Sequence, residues 1–202
     1  NNLDGNLLVT GTFSEGNTSW ISPNDPLTSG VYPRVYSSIE VTSGKWYAEL
    51  KYTDTAGSAT TGISARTATS GDYDYLGNNA YDYRYYHDGT KMNNGSGTSY
   101  GDSYTDGDII GIAIDLDNLA VYFAKNGTWQ DSGDPTSGAT KTGAAYTITA
   151  PASTPNGSYK FGFGGQGGAV DGLFNFGSPA YANSSSVADG NGYGAFEYAP
   201  PS

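Results

Sequence analysis

Nine Asn-Gly or Asp-Gly pairs punctuate this chain of 202 residues, beginning at Asp4, Asp88, Asn94, Asp106, Asn126, Asn156, Asp171, Asp189 and Asn191. These residue types tolerate the positive φ that a two-residue hairpin turn demands. Between many of the pairs lie short alternating or β-branched runs, at 7–13, 31–41, 46–52, 61–65, 108–116, 119–124, 145–150, 159–164 and 172–176. Runs this short, separated by turns this tight, predict a meander of antiparallel strands and therefore an all-β sandwich or barrel.

The strongest strand signal is "DIIGIAIDLD" at 108–117. Successive strand residues point to opposite faces, so Ile110, Ile112, Ile114 and Leu116 share one face and Ile109, Gly111, Ala113 and Asp115 the other. The first set predicts a core-facing side. In "NLAVYFAKNGTW", Leu119, Val121 and Phe123 repeat the pattern before Asn126-Gly127 turns the chain toward Trp129.

Composition agrees and excludes some partners. Thirty glycines and 18 tyrosines beside only 14% charged residues suit a sheet protein with many turns. The net charge of −11 repels phosphate backbones and anionic head groups, so neither nucleic acid nor membrane insertion is expected. Without cysteine there are no disulfides and no thiolate metal sites. No apolar run reaches the length of a spanning helix, and the start at Asn1 suggests a processed chain or an excised segment. No linker-like break interrupts 40–180, so residues 1–202 are expected to form a single domain. Within it, 1–30 should supply an N-terminal strand and loop. Residues 178–202 should form a loop-like tail that packs or stays mobile.

Four segments in order resemble the SPRY domain, a concanavalin A-like antiparallel β-sandwich of jelly-roll type: "SGKWYAEL" at 43–50, "GDIIGIAIDLDN" at 107–118, "YFAKNGTW" at 122–129 and "LFNFG" at 173–177. Asn118-Leu119 departs from the pattern by lacking the glycine often found at that turn, which predicts a tighter or bulged hairpin. "KNGTWQDSGDPTSGAT", "FNFGSPAY" and "YAPP" further resemble SPRY domains of bacteriophage and other viral structural proteins. The resemblance implies a non-enzymatic binding module, with loops at one end of the sandwich meeting the partner. In a phage setting it implies a virion or extracellular location, in a tail fibre, appendage or capsid decoration. It also implies association with other virion subunits, as a homo-oligomer, and contact with a host-surface glycan or protein; the alternative is a purely structural virion subunit that mediates only self or virion-protein contacts.

The side chains themselves offer several chemistries. Tyr and Trp present flat faces to sugar CH groups or to a protein, while Asn, Asp and Arg hydrogen-bond. On that basis the Tyr/Asn-rich stretch 70–86 nominates Tyr73, Tyr75, Asn78 and Asn79, with Arg84 and Trp129, as ligand contacts. In "YDYRYY", period two sends Tyr81, Tyr83 and Tyr85 to one face and Asp82, Arg84 and Tyr86 to the other, so these tyrosines read chiefly as sheet-builders and His87 with Asp88-Gly89 as the turn. A glycan hydrolase is the enzymatic alternative, with Asp115 and Asp117 roughly 6.6 Å apart by strand rise, inside the window for paired carboxylates. Aspartates that end a strand more commonly cap the turn that follows. The single histidine, the missing nucleophile elbow and the missing phosphate and dinucleotide motifs leave no cofactor to expect, and no spacing of carboxylates marks a metal site.

Overall fold

A computed structural model describes residues 12–14, 19–21, 32, 34–55, 58–66, 74–165 and 170–202. Most of the expected N-terminal strand and loop, Tyr73, and the glycines at 167 and 168 lie outside the described residues. Among the described residues, fourteen strands form two antiparallel sheets. The first sheet contains β1 (Thr12–Ser14), β2 (Ser19–Ile21), β14 (Asp171–Asn175), β4 (Lys45–Asp54), β9 (Ile109–Asp115), β10 (Ala120–Lys125) and β11 (Thr128–Trp129), in that spatial order, with β12 (Tyr146–Thr147) also beside β10. The second runs β3 (Arg34–Val41), β13 (Tyr159–Gly165), β5 (Ala59–Ser64), β6 (Asp82–Tyr86), β7 (Thr90–Asn93) and β8 (Ser96–Ser99). The expected all-β sandwich is the observed fold.

The core lies where the inner faces meet. Ile110, Ile112, Ile114 and Leu116 are all buried in it, as the alternation predicts, together with Val121 and Phe123. Aromatic rings stitch the sheets together: Tyr52 of β4 meets Phe163 of β13 at 6.2 Å, Tyr85 of β6 meets Phe123 of β10 at 5.6 Å, and Phe163 meets Phe174 of β14 at 5.5 Å. Tyr83 and Tyr85 are in this core, with Tyr81 packed against it, so the tyrosines do build the sandwich.

Hairpin chemistry sets the connections. The β7–β8 turn uses Asn94 and Gly95, both at positive φ (51° and 70°), the geometry whose twist matches that of the flanking strands. At the β9–β10 turn, Leu119 itself takes φ 59° in place of a glycine, which is how the chain closes this hairpin with Asn118-Leu119. The run 145–150 shortens to a two-residue strand because it pairs with β10 only at Ala120 and Val121.

The tail packs as loop. Its one bridge joins Val187 to Phe196. It is fastened to the outer face of the first sheet by Glu49, a fully buried carboxylate on β4. Glu49 accepts from Asn175 Nδ2 (3.0 Å), Tyr181 Oη (3.0 Å), Glu197 N (2.9 Å), Tyr198 N (2.8 Å) and Tyr47 Oη (3.3 Å). Five donors answer the desolvation cost of one buried charge. Burial and the nearby Glu49 charge push the Tyr47 and Tyr181 phenols far above their ordinary range.

Candidate binding face

The alternation that buries Tyr83 and Tyr85 turns Arg84 and Tyr86 to the outer face of the second sheet. Across that face the register aligns Tyr36, Gly162, Gly62, Arg84, Met92 and Gly97 on successive strands. The two central glycines leave the floor between Tyr36 and Arg84 without side chains. The Tyr36 ring settles over Gly162, where a Cβ would come within 2.6 Å of it. Burial first, then the Asp82 charge, pushes the Tyr36 phenol up to about 12.

The loop before β6 closes onto Arg84. Asp74 accepts from Asn78 Nδ2 (2.7 Å) and Asn79 Nδ2 (2.9 Å), and the Asn79 carbonyl accepts from the amides of Asp82 and Asn94. Gly77, at φ 96°, brings its backbone so near that an added Cβ would lie 2.7 Å from Arg84 Cγ. The guanidinium carbon then sits 4.8 Å from the Tyr75 ring centre and 4.6 Å from that of Tyr86. Tyr32 meets Tyr75 edge-on at 5.2 Å, and Tyr86 meets His87 at 4.3 Å. A planar cation between two phenol faces fixes both rings, because cation–π attraction and packing act together.

Next to this stack, Asp82 is buried and accepts from Ser64 Oγ (2.6 Å) and from Arg66 Nη1 (3.0 Å). Burial pushes its carboxyl up, and Ser64 and Arg66 oppose the shift. Burial likewise lowers the Arg84 guanidinium and the His87 imidazole from their ordinary values.

Of the residues nominated from sequence, Tyr75, Asn78, Asn79 and Arg84 come together here. Asn78 and Asn79 spend their amide donors inside the loop, shaping it, while Tyr75 and Arg84 form the stack. Trp129 is not part of this face. It sits on β11 of the other sheet, 6.3 Å from the Tyr47 ring and packed against the Ala113, Ala120 and Tyr122 cluster. The sequence pattern placed Tyr86 beside Arg84 without nominating it as a contact. Glu49 went unread because an acidic residue on an outer strand position looks solvated.

Asp115 and Asp117 both serve turns. Asp115 accepts from the Asn118 amide and from Asn118 Nδ2, each at 2.9 Å, and Asp117 accepts from the Gly44 amide at 3.0 Å.

Two antiparallel sheets pack face to face, with an aromatic–guanidinium stack on one outer face, and define an antiparallel β-sandwich. The SPRY domain family profile matches residues 45–166. The chain belongs to the SPRY domain family, whose members are in general non-catalytic modules that mediate protein–protein interactions. Among solved structures it is similar to the SPRY domain of human HERC1, at 16% identity and TM-score 0.60, covering 81% of this chain and 91% of that one. It is also similar to stonustoxin, at 18% identity and TM-score 0.54, where 81% of this chain spans 25% of the other. No curated protein matches the sequence.

Proposed function

We propose that this chain is a non-enzymatic protein-binding module that meets its partner through Tyr75, Tyr86 and His87, held in place by Arg84. The observation behind this reading is the guanidinium packed between two half-buried phenol rings. Rigid aromatic side chains lose little entropy on binding and dominate interface energetics. Arrays of proteins and of neutral glycans, probed with the 202-residue chain and with a Tyr75→Ala/Tyr86→Ala variant, test it. A protein hit whose affinity falls at least about tenfold in the variant, at unchanged melting temperature, supports it. Equal binding by both chains, or hits confined to glycans, would sink it.

The setting we infer is a virion, in a tail fibre, appendage or capsid decoration, with a host-surface protein as target and self-association within the assembly. This rests on the resemblance of "KNGTWQDSGDPTSGAT", "FNFGSPAY" and "YAPP" to phage SPRY domains. Genes for capsid or tail proteins beside its own would support that setting. Cellular surface genes in their place would overturn it.

A further inference from the structure

The first sheet has an open half-edge. Leu116 N donates to Gly44 O at 2.9 Å and Tyr52 N to Asp108 O at 3.1 Å, so even-numbered residues of β4 direct their backbone groups toward β9. By the two-residue period, odd-numbered residues direct theirs the other way. There Glu49 and Lys51 meet Asn175 and Leu173 of β14, whose register with β4 stops at Glu49. Lys45 and Tyr47 lie beyond that end, still paired on their other side with Asp115 and Ala113 of β9. Among the described residues no strand pairs with them on the open side.

A groove of about 680 Å³ opens beside this edge and spreads across the outer face onto β9, so that Lys45, Trp46, Tyr47, Phe176 and Pro200 line it together with Asp115. Trp46 is 45% exposed, and its indole N–H is tied to the Ser43 carbonyl at 2.8 Å, which fixes the ring beside the groove. Pro200 and Pro201 have no backbone N–H, so that part of the tail cannot supply the missing donors of a ladder. Asp189 also lines the groove, and the chain around it carries a net charge of −11.

We propose that the Lys45–Tyr47 edge accepts an extended, net-basic segment of a partner protein as an added strand in line with β14. Two outward-facing sets of N–H and C=O at strand spacing ask for an extended backbone, since only that repeats its own groups at the same interval. Trp46 offers the neighbouring apolar contact, and the acidic surroundings favour a basic segment. The site lies on the opposite sheet from the Tyr75–Arg84 stack and stands independently of it.

The probe is acetyl-Lys-Val-Lys-Val-Lys-Val-amide, with a twin N-methylated at every second residue, added to the 202-residue chain. Amide exchange followed by NMR should slow at Tyr47 by about tenfold with the first peptide and not with the twin. Lys45→Pro, which removes a donor only on the open side, should abolish the effect. If that variant does not fold, the comparison between the twin peptides on the natural chain decides. Absence of slowing at Tyr47, equal slowing by the N-methylated twin, or slowing confined to the exposed Ser96–Ser99 edge would overturn the proposal. Equal binding of a glutamate-for-lysine peptide would overturn its basic character. Concentration-dependent self-association that protects Tyr47 without peptide would assign the edge to a second copy instead.

Discussion

Replacing Glu49 with alanine should release the tail while the sandwich stays folded. The carboxylate receives three donors from the tail, Tyr181 Oη and the amides of Glu197 and Tyr198, and two from the sheet, Asn175 Nδ2 and Tyr47 Oη. A hydrogen bond to a charged group contributes about 1.5–3 kcal/mol, so the tail's three bonds are worth about 5–9 kcal/mol. The Phe196 side chain, 5.2 Å from Tyr47, holds the same segment with about 1.5–3 kcal/mol of burial. Once Glu49 is gone, keeping the tail docked would strand its donors away from water, whereas lifting it returns them to solvent. The cheaper response is local opening. Amide exchange across 181–198 should accelerate by roughly a thousandfold or more, since each 1.4 kcal/mol is a factor of ten. Strands β9 and β13 should keep their protection, and limited proteolysis should cut within 178–198. Glu49→Gln should give an intermediate effect, because its NH₂ group must face at least one of the five donors. Unchanged exchange in the tail of Glu49→Ala would refute the assignment of this carboxylate as the anchor.

Three other perturbations follow from local geometry. Gly77→Ala forces a Cβ to within 2.7 Å of Arg84 at a backbone φ of 96°, and should cost at least about 1–2 kcal/mol in urea unfolding while disturbing the tyrosine stack. His87 is held below its ordinary 6.5 by burial, with Asp88 opposing. The unfolded chain therefore binds the proton more readily, and stability should fall as pH drops through 6.5 toward the lower folded value; His87→Gln should flatten the slope of unfolding free energy against pH there. Phe163→Ala empties a site shared by Tyr52 and Phe174 and should cost about 3–5 kcal/mol in the same assay.

The fold was readable wherever burial is one-sided. The isoleucines of β9 and the tyrosines of β6 alternate because one face of each strand meets the core, and period two is visible in the letters. The turns were readable through Asn-Gly and Asp-Gly, since positive φ leaves few residue choices. β7 and β8 were missed as strands because "TKMN" and "SGTS" carry no apolar face. Within the binding face, the loop composition drew attention to Tyr75 and Arg84, and alternation placed Tyr86 beside Arg84. That Arg84 would be clasped by two rings depends on how Gly77 lets the loop descend onto β6. That Trp129 lies on the other sheet, beside Tyr47, was not legible, because an aromatic after a turn does not reveal which sheet the hairpin joins. The Glu49 anchor joins residues 148 and 149 positions apart, and no local pattern announces such a contact.

The placement of β13 and β14 bears on how the chain is made. β13 lies between β3 and β5, and β14 lies between β2 and β4, so each sheet keeps a vacancy within it until a strand from 159–175 arrives. A chain emerging from the ribosome would hold its earlier strands with unpaired edges and aromatic faces turned to water until that late segment clears the exit tunnel. Folding should therefore be slow and dominated by distant pairings, waiting on that late segment. Fragments cut before residue 159 should aggregate instead of forming a smaller sandwich.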